Sequence, residues 1–262
     1  MATNILQQIV ASKYQEVEMR KVLLPVAVLE KSDDFERKCF SLKDSLNNSD
    51  TGIIAEFKRK SPSKGIFDIN FKVEEITTGY VANGATALSV LTDEDFFGGS
   101  LSDLVAARNL NDCPILRKDF MVDEYQVVAA KACGADVILL IAAAITPEQS
   151  LKLATFAKSL GLEVLLEVKN KEEIEPYLNP YIDCVGVNNR NLENFVVNVE
   201  TSMELASFIP NEFVKISESG ISNAETIKKL RNYGYRGFLI GEAFMQSPNP
   251  IESFQKLFSS LA

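Results

Sequence analysis

Residues 114–168 read PILRKDFMVDEYQVVAAKACGADVILLIAAAITPEQSLKLATFAKSLGLEVLLEV. Three short β-prone apolar runs stand out in them: PILRK (114–118), DVILLI (136–141) and EVLLEV (163–168). The stretches between, over 124–133 and 147–160, are amphipathic and of helical length. Gly134 and Gly161 stand where a glycine lets a helix end and the chain turn into the next strand. Strand, helix, strand, helix, strand is the order that parallel strands require.

The same rhythm continues in both directions. IIAEF (53–57) and TALSVL (86–91) precede this stretch, and DCVGVN (183–188), FVKISE (213–218) and GFLIG (237–241) follow it, with further helices predicted over 73–83, 224–232 and 251–261. Gly84, and Gly234 or Gly237, again precede strands. Eight such runs, with starts roughly 20 to 33 residues apart, predict an α/β fold, a (β/α)8 barrel of the TIM type over 53–262. The competing open, doubly wound sheet would place a glycine-rich turn after its first strand. Here IIAEF is followed by KRKSPSKG, which has neither GxGxxG nor the GxxxxGKS/T phosphate loop. Ahead of the barrel, Leu6, Ile9, Val10, Tyr14 and Val17 predict an amphipathic helix over 3–21, and 41–52 (SLKDSLNNSDTG) has loop composition. Residues 1–52 are therefore expected to be an N-terminal helical extension capping the barrel, in one domain with it.

Composition narrows the function. With 27 Lys and Arg against 36 Asp and Glu the formal charge is −9, which leaves no broad basic surface for nucleic acid. The longest uncharged apolar run, 137–145, is about half of what a bilayer span needs, so no membrane partner is expected. The first 21 residues lack a secretory pattern, and Cys39, Cys113, Cys133 and Cys184 stand far apart without CxxC. A cytoplasmic protein with reduced thiols and no zinc site is expected. Histidine is absent altogether. Any proton transfer must then fall to Lys, Glu or Asp with shifted pKa values.

Barrel active sites are built at the carboxyl ends of the strands. There the sequence puts Glu56 and Lys58 (first strand), Thr92 (after the second), Lys118 (third), Glu167 (fifth), Asn188 (sixth) and Glu218 (seventh). Period two places Glu163, Leu165 and Glu167 on one face and pairs Glu56 with Lys58, without saying which face looks inward. Charges in strands covered on both sides are costly unless paired, so their common placement points to a site; any one alone could equally be a rim charge or a structural ion pair. Ser219 and Gly220 in SESGIS (217–222), together with Gly241, offer tight turns for a phosphate, and Lys58, Ser61 and Lys64 could complete the grip. An ordinary turn with Ser222 as helix cap is the plainer alternative.

IIAEFKRKSPSKG, LSVLTDEDFFGGS, PILRKDFMVDEYQV, GADVILLIAA, LEVLLEV, VGVNNRNL, KISESGIS and FLIGEAFM, in this order, resemble the indole-3-glycerol-phosphate synthase family of tryptophan biosynthesis over essentially the whole chain. Lys13 and Glu16 also look like part of that family's leading helix. The resemblance implies ring closure of 1-(2-carboxyphenylamino)-1-deoxyribulose 5-phosphate with loss of CO2 and water, without metal or organic cofactor. It implies Lys118 as general acid, made more acidic than an exposed ammonium, Glu167 as general base, and Lys58 as donor to the departing hydroxyl. Glu56 and Glu218 would balance charge, and Asn188 would hold substrate hydroxyls. Arg190 would lie near the anthranilate carboxylate or Glu56, Phe97 and Phe120 would flank the anthranilate ring, and Ser61, Ser219, Gly220 and Gly241 would serve the phosphate. In GEAFM, Glu242 follows Gly241 where small residues are common in the family, and Phe244 stands where Leu is frequent, so no side-chain contact from Glu242 or Ala243 is carried over there. The expected partner is a small phosphorylated substrate; contact with other enzymes of the pathway stays open. The rivals are phosphoribosylanthranilate isomerase, which would want a Cys where Glu56 stands, a Schiff-base aldolase, and a barrel kept only for binding.

Overall fold

The computed structural model describes residues 4–191 and 195–261. Eight parallel strands close on themselves: β1 (Ile53–Phe57), β2 (Ala87–Leu91), β3 (Ile115–Lys118), β4 (Val137–Ile141), β5 (Glu163–Val168), β6 (Cys184–Asn188), β7 (Val214–Glu218) and β8 (Tyr235–Ile240). β1 pairs with both β2 and β8, which completes the barrel. β8 begins two residues before the predicted start, and its register against β7 shifts between Tyr235 and Gly237.

The core has two shells. Ile53, Ala55, Phe57, Val90, Ile138, Leu140, Leu166 and Val187 belong to the shell under the helices. Ile54, Leu116, Leu139, Leu165, Ile216 and Leu239 fill the interior. This settles the facing that periodicity leaves open. Leu165 points inward, so Glu167 does too, and Ile54, Leu116 and Ile216 likewise turn Glu56, Lys118 and Glu218 inward. All four charged residues come from alternate strands β1, β3, β5 and β7, which is how one interior layer of a barrel is made.

Connecting helices follow the strands. The Leu101–Leu110 helix, absent from the predicted set, is capped by Ser100, whose hydroxyl accepts from the Asp103 N–H. Among the described residues, the short helices Ile174–Tyr177 and Glu200–Leu205 follow β5 and β6. Among the described residues no helix is long and apolar enough to cross a membrane.

The extension covers both ends of the barrel. Its first helix, Ile5–Leu23, starts at the Asn4 cap and buries Leu6, Ile9, Lys13 and Val17; Thr3, the predicted first residue, lies outside the described residues, as does Leu192 of the VGVNNRNL segment. The loop expected over 41–52 is instead helical over Leu42–Asn47, with Ser41 as N-cap. Leu42 and Leu46 are fully buried against the lower interior. Two leucines four apart give one apolar stripe, which average composition conceals. Glu163, at the amino end of β5, accepts from Ser41 Oγ at 2.5 Å and from the Lys43 N–H at 3.0 Å, so this carboxylate anchors the extension and has no part in the upper layer. Leu46→Ala should therefore cost about 2–5 kcal/mol of stability, read as a lower denaturant midpoint, while kcat measured on the folded protein stays near wild type.

Candidate active site

The upper ends of the strands surround a cavity of about 320 Å³. Glu56, Lys58, Ser61, Phe97, Lys118, Phe120, Glu167, Asn188, Arg190, Glu218, Ser219, Gly220 and Gly241 all line it. At its floor, Lys118 Nζ lies 2.9 Å from Glu167 Oε2 and 2.5 Å from Glu218 Oε2. Asn188 Nδ2 donates to the other oxygen of Glu167 at 3.0 Å. Lys58 Nζ is 2.7 Å from Glu56 Oε1, and Ser89 Oγ donates to Glu56 Oε2 at 3.3 Å. Among the described residues, Glu218 Oε1 is buried without a hydrogen-bond partner.

Two glycines make room for this layer. A Cβ on Gly186 of β6 would collide with the Glu218 carboxylate, and one on Gly241 with that of Glu56. Gly241 has φ −129°, so the carboxylate beside it, and not its backbone conformation, demands glycine. Gly186 passes unnoticed in the sequence because the partner that needs the space lies 32 positions away in Glu218.

Electrostatics follow from burial and pairing. Burial alone would lower the Lys118 pKa, but the charges of Glu167, Glu218 and Glu56 outweigh it and raise that pKa well above the ordinary value. The structure thus corrects the expectation of an unusually acidic ammonium: with three carboxylates around it, this lysine stays protonated. Burial pushes Glu167 up, yet Lys118 and the Asn188 hydrogen bond hold its pKa below the usual value. Glu218 is pushed up to about 7, mainly by burial and further by Glu167 and Glu56, against the pull of Lys118.

Other expectations are modified. Arg190 Nη2 donates to Glu242 Oε2 at 2.9 Å, so its carboxylate partner stands after β8 and is not Glu56. Lys64 lies outside the cavity lining and reaches the same Glu242 at 3.6 Å. The Phe97 and Phe120 ring centroids are 5.9 Å apart. Admitting a third ring between them would take roughly 7 Å or more, two van der Waals gaps, so they form one apolar wall of the cavity and do not flank a slot. Thr92 is buried beneath the site, donating to Asp119 Oδ2 at 2.6 Å.

The extension contributes more than the sequence reveals. Ile5, Leu6 and Ile9 line the cavity. Lys13, 1% exposed, places Nζ 2.6 Å from Glu16, 2.9 Å from Asp93 and 3.0 Å from Asp119. Asp93 in turn accepts from the N–H groups of Phe96 and Phe97, and Asp119 from that of Phe120. One ammonium from the first helix thereby ties together the two loops that carry the aromatic wall. In sequence Lys13 stands out through the resemblance of the leading helix, but nothing there shows that Asp93 and Asp119 are its partners.

A closed eight-stranded barrel whose mouth interleaves buried ammonium and carboxylate groups defines an acid–base enzyme of the (β/α)8 class. The chain belongs to the indole-3-glycerol phosphate synthase family, whose model matches residues 6–257. It is 50% identical over 258 residues to the indole-3-glycerol phosphate synthase of Bacteroides thetaiotaomicron, covering 98% of this chain and 99% of that one. It is 41% identical over 264 residues to the one from Dechloromonas aromatica, covering 98% and 100%. Among solved structures, a thiamine phosphate pyrophosphorylase from Pyrococcus furiosus superposes with a TM-score of 0.60 at 16% identity, over 84% of this chain and 98% of that chain, a likeness of fold alone.

The raised Glu218 pKa has a measurable consequence. Its ordinary value is 4.5 and its folded value about 7, so between these the folded protein binds the extra proton. Its contribution to stability is full below the unfolded value and is lost as pH rises through about 7. Unfolding free energies measured across about pH 5 to 8 should fall with rising pH in wild type and fall less in Glu218→Gln; equal slopes would contradict the assignment.

Proposed function

We propose that this cavity closes the indole ring of 1-(2-carboxyphenylamino)-1-deoxyribulose 5-phosphate, and that Lys118 and Glu167 carry its proton transfers. The family's members are carboxy-lyases of tryptophan biosynthesis acting on a phosphorylated small molecule. The observation that carries the assignment of roles is the 2.9 Å contact of Lys118 with Glu167, two groups from different strands facing one another at the cavity floor.

In the first step the aromatic carbon bearing the carboxylate attacks the C2′ ketone. The carbonyl electron pair moves to oxygen, and Lys118 supplies the proton. A developing alkoxide is a strong base that calls for a proton, and a lysine of raised pKa is in the protonated form when the attack begins. Loss of CO2 then returns its bonding electrons to the ring and restores aromaticity. Finally the C2′ hydroxyl leaves as water with a proton from Lys58, while Glu167, ionised by its partners, removes the proton whose departure completes the indole. Asn188 holds Glu167 in line and meets substrate hydroxyls. Glu56 holds the Lys58 ammonium in place by its ion pair, and Glu218 keeps Lys118 placed.

The aromatic wall of Phe97 and Phe120, with Leu6 and Ile9, suits the anthranilate ring and an apolar setting that favours carboxylate loss. At the opposite rim, Ser61, Ser219, Gly220 and Gly241 suit the phosphate, with Arg190 available once the anion competes with Glu242. A Lys118 whose pKa is raised by its carboxylate neighbours is a poor nucleophile at neutral pH, which disfavours the Schiff-base alternative. A cytoplasmic setting fits four cysteines that are all unpaired.

A fluorescence assay for indole formation from the anthranilate–ribulose phosphate tests the reading. Wild type should turn over, and Lys118→Met and Glu167→Gln should each lose about 10²–10⁴-fold in kcat. No product from wild type, or a Lys118→Met enzyme as fast as wild type, would overturn it.

A further inference from the structure

Asn189 follows the cavity-lining Asn188 but turns its side chain to the other side of the sheet, where it is 3% exposed. All four hydrogen-bonding positions of its amide are occupied. Nδ2 donates to Ser217 Oγ and to the Ser219 carbonyl, both at 3.0 Å. Oδ1 accepts from the Ser202 N–H at 3.1 Å and from Ser202 Oγ at 2.8 Å. The Asn189 backbone N–H donates to the Glu218 carbonyl at 2.9 Å. One residue thus holds two successive carbonyls, those of Glu218 and Ser219.

The held segment is unusual. Ser219 has φ +69° and Gly220 φ +76°, two consecutive residues in the left-handed region. Glycine adopts this freely, but a serine needs surrounding structure to keep it there. Behind the turn, Ser202 Oγ and Ser217 Oγ are 2.7 Å apart, and Tyr235 Oη donates to the Ser202 carbonyl at 2.5 Å. Ser202 and Ser217 are fully buried, so solvent does not compete for these bonds. In front of it, Ser219 and Gly220 face the cavity.

We propose that Asn189 is a positioning residue for the phosphate grip: its amide keeps the Ser219–Gly220 turn in the left-handed form that presents its backbone to the anion. This rests on the reading of that turn as part of the phosphate site. Asn189 touches no reacting atom, so its loss should weaken substrate holding more than chemistry.

The test compares wild type, Asn189→Asp, Asn189→Ala and Ser202→Ala in steady-state kinetics, with inorganic phosphate as a competing ligand. Asn189→Asp keeps the shape and the acceptor but cannot donate to the Ser219 carbonyl; Asn189→Ala leaves no charge behind and carries the same expectation should the aspartate variant fail to fold. Both should raise KM and the inhibition constant for phosphate together by about tenfold, the effect of a lost hydrogen bond, with kcat within about threefold of wild type. Ser202→Ala loosens the same buried cluster but keeps the Asn189–Ser219 bond. It should lower the melting temperature while leaving KM and phosphate inhibition within about twofold of wild type. If phosphate does not compete in wild type, the phosphate reading of the turn fails and the proposal with it. If phosphate competes but the Asn189 variants match wild type, or match Ser202→Ala, the reading of the turn stands and the role of Asn189 is overturned.

Discussion

A buried ammonium is tolerable only where carboxylates neutralise it at hydrogen-bond range, and Lys118 meets that condition with two of them. Much of the barrel's upper half follows from this one constraint. The three groups come from β3, β5 and β7, so they meet only when the sheet has closed and alternate strands share a layer. Gly186 leaves space for Glu218, Gly241 leaves space for Glu56, and Asn188 takes up the second oxygen of Glu167. Removing Glu167 or Glu218 would change the ionisation of the other, because both are balanced against the same cation.

That balance decides the chemistry available. The Glu167 pKa is held below its ordinary value, that of Lys118 well above it, and that of Glu218 is pushed up to about 7. A chain without histidine thus obtains a group titrating near neutrality from a glutamate, by burial and by crowding with like charge. A second buried charge network, around Lys13, joins the first helix to the loops after β2 and β3. The extension is consequently part of the cavity wall as well as a cover over the core.

The barrel and the residues at its mouth were legible because both depend on short-range pattern. Apolar runs of strand length alternating with amphipathic stretches leave few other folds, and polar groups ending apolar strands are conspicuous. The Leu42–Asn47 helix was hidden because six residues with two leucines give too weak a periodic signal, and its stability comes from packing against the barrel floor. The partner of Arg190 was hidden for another reason: Glu242 lies 52 positions further on, and nothing in the intervening chain marks the meeting.

By itself the sequence determined which side chains could carry the chemistry, since without histidine only Lys, Glu and Asp remained, and it determined that they would stand at strand ends. Tertiary structure alone decided that the charged faces of the odd strands look inward, that Lys118 is held cationic instead of being made acidic, and that the Asn189 side chain is bound behind the Ser219–Gly220 turn. Period two fixes which residues share a face but is blind to which face is covered by helices. Likewise, the pKa of a buried group is set by charges that closure of the barrel brings from distant parts of the chain.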